Sequence, residues 1–222
     1  MRGRAGTQFR FLVWSIGSLF LAAAGAAGTG LSARTNSDLP VSDGSVQGRF
    51  LVANPDMPDP RFARTVILMV RHDESGALGL VINKPIGYAQ VTEEDALSEN
   101  DEDVEDKPRL RLRMPAYYGG PVQPGRAFIV HSPEYRTNGT VGVTAHVAVS
   151  THRQILDDIA DGKGPKQVLY IVGYAGWGPG QLEKEIRRDD WYISPVEASM
   201  VFGDVTEDPL WQRALESRLR GI

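Results

Sequence analysis

Three short apolar runs near the start of the chain limit its fold more than any other feature. Phe50-Leu51-Val52-Ala53, Thr65-Val66-Ile67-Leu68-Met69-Val70 and Ala77-Leu78-Gly79-Leu80-Val81-Ile82 are aliphatic and β-branched, and clusters of Pro, Asp and Gly separate them. Runs this short, bounded by turn residues, read as strands, because a helix needs two or three turns to bury a stripe. The second run has no polar interruption after Thr65, which suits a strand covered on both faces. His72-Asp73-Glu74-Ser75-Gly76 has turn composition, with Asp early and Gly last, and predicts a hairpin between the second and third strands.

Further strands follow at Ala127 to His131, at Thr140 to Val149 with His146 opposite a valine face, and at Val168 to Val172. Trp191-Tyr192-Ile193 and Ser199 to Phe202 complete the strand reading. Thr151-x-x-Gln154 has the spacing of a capping box for a helix with Ile155, Leu156 and Ile159 inward, which Gly162 closes. Pro179 suits the first turn of a second helix carrying Leu182 and Ile186. Asp208 to Arg220 reads as a third, with Leu210, Ala214, Leu215 and Leu219 inward. Strands and helices in this mixture predict one α+β domain over residues 49–222, and 41% hydrophobic side chains in 222 residues suffice for its core.

Residues 1–33 differ from the rest. Arg2, Arg4 and Arg10 precede an uncharged stretch from Phe11 to Ala33, in which an apolar run gives way to Ala22-Ala23-Ala24-Gly25-Ala26-Ala27. This is the pattern of a signal peptide, with small residues offering cleavage near Ala24, Ala26 or Ala33. The expected location is periplasmic, or inner-membrane-anchored if residues 11–27 remain uncleaved in the bilayer. A start codon assigned too far upstream is the alternative, and it makes the protein cytosolic. Residues 34–48, rich in Ser, Asp, Gly and Pro, read as a flexible linker. Loss of residues 1–33 takes away three arginines and no acid, leaving 21 basic and 28 acidic residues.

Composition excludes several chemistries. The chain has no cysteine, so thiol nucleophiles, Cys-ligated zinc, iron–sulfur clusters and disulfides are out. With 24 basic against 28 acidic residues, it lacks the excess cation needed for broad nucleic-acid binding. The alternation of Arg109, Arg111 and Arg113 is the sole hint of a nucleic-acid partner. Glu93 to Asp106 holds nine acids and no base, which reads as a solvated loop. It lacks the residue order of an EF-hand, and no metal is expected there.

Four places have residues suited to chemistry. His72 lies beside Asp73 and Glu74, an arrangement that suits a general base with a carboxylate orienter, and Ser75 and Ser132 are the available hydroxyls. Neither serine sits in a G-x-S-x-G elbow, and the histidines at 72, 131, 146 and 152 have no metal-ligand spacing. Gly173-Tyr174-Ala175-Gly176-Trp177-Gly178-Pro179-Gly180 leads from a strand into a helix. It either cradles an anion on free N–H groups or serves as a packing device with Trp177 as a plug. Asn83-Lys84-Pro85 and Tyr118-Gly119-Gly120-Pro121 are explained equally by turns or by a ligand.

Four blocks, in order, carry a resemblance. They are Phe50-Leu51-Val52-Ala53-x-Pro55 with Asp59-Pro60-Arg61-Phe62; His72 with Gly76 to Pro85; Tyr118-Gly119-Gly120-Pro121-Val122; and Gly173 to Gly178 with Gly180-Gln181-Leu182-x-x-Glu185. Together they resemble the YqgE/AlgH family, a conserved bacterial family without an established reaction. The resemblance implies a bifurcated mixed β-sheet forming a pseudo-barrel with flanking helices, and the family name implies regulation. Members usually look cytosolic and carry a short amphipathic helix where this chain has Thr92 to Asp106. The resulting expectation is a non-catalytic binding or regulatory domain without cofactor, taking an unknown protein or small molecule. Its ligand surface would be made of His72, Asn83, Gly119, Gly120, Gly176, Trp177 and Gly178. The alternative is a hydrolase using His72, with His131 as a second imidazole, and a nearby Ser or carboxylate.

Overall fold

The structure, a computed structural model, describes residues 44–92, 110–203 and 207–218. The N-terminal segment to residue 43 and the acidic run 93–106 therefore lie outside the described residues. Among those described, no helix is long and apolar enough to cross a membrane.

Strands β1 (Arg49–Ala53), β2 (Val66–Asp73), β3 (Gly76–Val81), β4 (Pro85–Thr92) and β5 (Leu110–Tyr118) come first. They are followed by β6 (Val122–His131), β7 (Val141–Gly142), β8 (Ala148–Ser150), α1 (Gln154–Ala160) and β9 (Val168–Trp177). The chain ends with α2 (Gln181–Arg187), β10 (Trp191–Pro195), α3 (Ala198–Phe202) and α4 (Glu207–Arg218). The sheet runs β10-β1-β2-β3-β9-β6-β8-β7, and β5 joins it through β9 with β4 beyond. All pairings are antiparallel except that of β5 with β9, so the sheet is mixed.

The sheet forks along β9. The first half of β9 has β5 as a neighbour through Tyr118↔Val172, and its last three residues have β3 through Gly79↔Ala175, Leu78↔Gly176 and Ala77↔Trp177. Gly119 occupies the crotch of the fork. Its N–H donates to the Val172 carbonyl at 2.8 Å, and its own carbonyl accepts from Val81 N–H at 3.0 Å. Backbone passes backbone so closely here that a Cβ on Gly119 would stand 2.2 Å from the Gly173 oxygen, and one on Gly120 2.2 Å from the Tyr174 carbonyl carbon.

Alternation along the strands divides the core. Phe50, Val52, Leu68 and Leu80 share a cluster with Val130 and Val149 from the far end of the sheet, which is met only if the sheet curls on itself. Met200 and Val201 of α3 and Leu210 and Ala214 of α4 close that inner cluster. Leu51, Ile67, Met69 and Val81 point the other way, into a second cluster that Leu182 of α2 covers. Each fully buried Leu or Ile contributes about 2 kcal/mol, and both faces of β1 and β2 are lined with them. α1 lies over a third cluster through Ile155, against Met114, Ala116 and Tyr170.

Several elements differ from the sequence reading. The stretch from Thr140 to Val149 is a hairpin rather than one strand: Val141 pairs with Val149, and Val147 accepts from Val143 N–H at 2.9 Å. Ser199 to Phe202 lies in the helix α3, since a run as short as Met200-Val201-Phe202 fits a helical turn as well as a strand. No Thr151 capping box forms; Gln154 N–H is taken by His152 Nδ1 at 3.2 Å instead. Gly180, at φ +68°, precedes α2, so Pro179 lies before the helix rather than in its first turn. Residues 44–48, read as the end of a linker, are already tied to the domain, with Val46 buried and Gly48 N–H bonded to the Met69 carbonyl.

Candidate functional site

His72 sits in a row across three strands, opposite Ala77, which is opposite Trp177. Residues in such a row share a face, so His72 and Trp177 both look toward α2. The imidazole is 8% exposed, and its Nδ1 accepts the Val46 N–H at 3.1 Å. An acceptor at Nδ1 puts the neutral ring's proton on Nε2, which then donates to Glu183 Oε1 at 3.1 Å. Glu183 is held below the usual carboxylate range, chiefly by a hydrogen bond from its own backbone N–H, with His72 adding to it against the opposing effect of burial. His72 thereby joins three segments: the entering chain at Val46, β2 and α2.

The hydroxyl expected beside it is elsewhere. Ser75 donates both its N–H and its hydroxyl to Asp73 Oδ1, closing the β2–β3 turn. Those bonds, the hydroxyl's first, lower the Asp73 carboxyl from its ordinary range. Asp73 therefore orients the turn and not the imidazole.

Trp177 is the plug that the packing reading expects. It is 8% exposed and meets Trp191 edge to face at 6.1 Å between centroids, and Trp191 meets Phe62 likewise at 5.7 Å. The indole N–H of Trp177 donates to Glu185 Oε2 at 2.8 Å, and that of Trp191 donates to the same oxygen at 2.9 Å. Gln181 Nε2 donates to the other carboxylate oxygen at 2.9 Å, and Gln181 Oε1 accepts from Gly178 N–H at 3.2 Å. The glycine-rich loop is thus stitched to α2, with Gly176 and Gly178 exposed at its surface.

Asn83, Gly119 and Gly120 form a separate group at the fork. The Asn83 side chain is fully buried: Oδ1 accepts from Val66 N–H at 2.9 Å and Nδ2 donates to the Arg64 carbonyl at 2.8 Å. Gly119 is linked to Val81 at the end of β3, whereas His72 pairs at Ala77 near its start. Four residues of strand put about 13 Å between the two groups, so the structure brings His72, Gly176, Trp177 and Gly178 together, and Asn83, Gly119 and Gly120 together, but not all seven around one small ligand.

The sequence profile of the AlgH-like family, DUF179, matches residues 50–219. The chain belongs to the AlgH-like family. A UPF0301 protein of Chromobacterium violaceum is 42% identical over 160 residues, covering 71% of this chain and 82% of the relative. One of Methylococcus capsulatus is 36% identical over 182 residues, covering 81% and 94%. The solution structure of the AlgH protein from Pseudomonas aeruginosa is 35% identical, with a TM-score of 0.64 over 82% of this chain and 92% of that one. A crystal structure from Corynebacterium diphtheriae, 21% identical with a TM-score of 0.54 over 75% of this chain and 83% of that one, shares the fold. The AlgH-like fold is thus a curled, forked α+β half-barrel, and no reaction comes with the family.

One arrangement in the AlgH-like domain escaped the sequence reading. His131, fully buried, faces Ser150 on the neighbouring β8, with Nε2 and the Ser150 hydroxyl 2.9 Å apart. Nδ1 donates to the Ser132 carbonyl at 2.9 Å, so Nε2 accepts from Ser150. Thr140 Oγ1, which takes Thr137 N–H at 3.0 Å, is 2.7 Å from Ser150 Oγ and donates to it. This has the order of a nucleophile, base and orienter, yet His131 and Ser150 are both at 0% exposure. Burial lowers the His131 pKa, keeping the ring neutral. The neighbouring Ser132 hydroxyl donates instead to Glu134 at 2.7 Å. Tyr135, edge-on to His131, donates to Asp158 at 2.5 Å; burial and that carboxylate push its hydroxyl up to about 12. Among the described residues, no three His, Asp or Glu side chains group to hold a metal.

Proposed function

We propose that this AlgH-like chain is a non-catalytic binding or regulatory domain, exported or tethered to the inner membrane by residues 1–33. The observation that carries the reading is the occupation of His72. One ring nitrogen takes the Val46 N–H and the other gives its proton to Glu183, while the hydroxyl of Ser75 is committed to Asp73 and that of Ser45 to the His72 carbonyl. A general base needs a free acceptor within reach of the proton it removes, and this imidazole has none to offer. The proposed contact surface is the exposed backbone at Gly176 and Gly178 beside Trp177. His72 holds it in place, and Asn83, Gly119 and Gly120 shape the sheet behind it. The occupant is a protein or a small molecule, and the regulatory half of the reading rests on the family name alone.

The test is turnover. Nitrophenyl acetate, nitrophenyl phosphate and an unstructured peptide give no rate above buffer, and His72→Ala leaves that result unchanged. Hydrolysis that His72→Ala abolishes while the circular dichroism spectrum is preserved sinks the binding reading and establishes the hydrolase. The export half is read separately, by intact mass and N-terminal sequence of the native protein from cytoplasmic, membrane and periplasmic fractions. A periplasmic form starting between Ala24 and Arg34, or a membrane form retaining Met1, supports it. A cytosolic form starting near β1 contradicts it.

A further inference from the structure

The chain enters the domain against β2, and His72 fastens it there. The Ser45 hydroxyl donates to the His72 carbonyl at 3.0 Å and accepts the Gln47 N–H at 3.3 Å, while the Val46 N–H donates to Nδ1 of the ring at 3.1 Å. The Val46 side chain is buried in the second core cluster. Gly48 follows at φ +71°, a left-handed conformation, and its N–H goes to the Met69 carbonyl at 2.9 Å. The Val46 carbonyl takes the Arg49 N–H at 3.1 Å, so residues 46–49 make a turn that ends where β1 begins. Among these acceptors the imidazole differs from the rest, because histidine is the side chain that takes up a proton between pH 8 and 5.

A proton on Nδ1 turns that acceptor into a donor. Two N–H groups then face each other where a hydrogen bond had been, and the bond to Val46 is lost. Nε2 donates to Glu183 in either state, and its bond to the carboxylate is charge-assisted once the ring is a cation. Glu183 faces the ring from α2, and Arg187 acts on that carboxylate from the same helix. Asp73 and Arg71, an ion pair at 3.6 Å, lie beside the ring on β2, and the exposed Glu74 follows in the turn. Ser45 to Gln47, Ala77 of β3 and Trp177 of β9 bring no charge. Proton uptake at Nδ1 and the Val46 bond are therefore mutually exclusive, and each weakens the other by the same factor.

We propose that His72 is an acid-operated latch on the entering chain: on taking up a proton the ring releases Val46 and keeps Glu183, and Ser45 to Gln47 lift from β2 about Gly48 while the domain stays folded. The segment through which residues 1–43 join the domain thus has two states, chosen by pH. The latch rests on the same bonding of His72 that carries the binding reading.

The test is amide hydrogen exchange of the full chain between pH 7.5 and 5, expressed as protection relative to the intrinsic rate at each pH. Glu183 and Asp73 stay ionised over that range, since both are held below the usual carboxylate range. In wild type the Val46 amide loses protection about tenfold or more as pH falls, the change expected when one buried hydrogen bond goes, while Gly48 keeps its bond to Met69 and its protection. The Ile82 amide, bonded to the Val66 carbonyl at 3.0 Å, reports opening of the whole domain, including the acid effect of His131. The loss at Val46 shares its midpoint with the nitrogen-15 titration of the His72 ring, a comparison that needs no variant. His72→Asn puts an amide oxygen, which does not titrate, near the position of Nδ1, and its Val46 protection is the same at both ends of the range. Val46 protection that acid leaves unchanged in wild type, a loss shared equally by Gly48 and Ile82, a midpoint away from that of the ring, or an equal loss in His72→Asn overturns the latch and leaves the neutral joint standing. A Val46 amide already unprotected at pH 7.5 overturns the joint and the latch together.

Discussion

Trp177 and Trp191, on strands that are not neighbours in the sheet, give their indole protons to a single oxygen of Glu185. The two rings meet edge to face above it, and the helix bearing that carboxylate covers the second core cluster. Glu185, the last residue of the block that starts at Gly173, is therefore a clasp, joining the end of β9, the start of β10 and α2.

Removing the clasp leaves two indole N–H groups and Gln181 without their acceptor. An unsatisfied buried donor costs about 1–3 kcal/mol, so Glu185→Ala destabilises the domain by about 3 kcal/mol in urea unfolding. Glu185→Gln keeps one acceptor oxygen for the indoles but turns an amide N–H donor toward the Gln181 Nε2 donor, and it costs about 1 kcal/mol. Equal stability of all three proteins contradicts the assignment.

At the fork, close approach and backbone strain can be separated. Gly120, at φ +147°, has the Tyr174 backbone 2.2 Å from a would-be Cβ, whereas Gly87, at φ +126°, has nothing within 4 Å. Gly87→Ala costs about 1 kcal/mol of strain alone. Gly120→Ala forces β5 and β9 apart and costs several times that, to the point of preventing folding, as soluble yield and melting temperature will register.

The His131 relay predicts acid sensitivity. Its pKa is lowered in the folded protein, chiefly by burial, so between pH 6.5, near the unfolded value, and the depressed folded value the unfolded chain binds a proton that the native chain does not. Stability contributed by the neutral ring is complete above pH 6.5 and is lost as pH falls through that window. Glu134, with its carboxylate, and Arg136, with its guanidinium, act on this ring in opposite senses, and Tyr135 covers one edge. The lowered carboxylates Asp73, Glu134, Asp158 and Glu183 act at more acid pH, below their unfolded range near 4. Urea unfolding between pH 7.5 and 5 falls for wild type and falls less for His131→Gln. Parallel curves for the two contradict the role given to His131.

Local pattern revealed what local packing decides. β1, β2 and β3 were legible because their apolar runs are too short for a buried helix and end in turn residues, and the turn at Asp73 to Gly76 has its own side-chain chemistry. Trp177 was legible only as one of two readings, a packing plug or part of an anion cradle, because glycines between a strand and a helix serve either. β4 was missed because Gly87, Tyr88 and Gln90 interrupt any apolar run, and the hairpin of β7 and β8 was missed because the valine alternation continues through its turn. The partners of the polar residues were not legible at all. His72 and Glu183 are 111 residues apart along the chain, and nothing in either neighbourhood announces the other. Ser150 gave no signal because its meaning comes entirely from pairing opposite Ile129, two residues before His131 on the same face of β6.

The central claim is that His72 is a structural joint with both nitrogens spent, and the most direct measurement is its tautomer by nitrogen-15 NMR at neutral pH. The account predicts a neutral ring with the proton on Nε2, slowly exchanging because it is bonded to Glu183, and an unprotonated Nδ1 coupled to the Val46 amide. A proton on Nδ1, or an Nε2 that exchanges freely with solvent, contradicts it and returns His72 to the list of available bases.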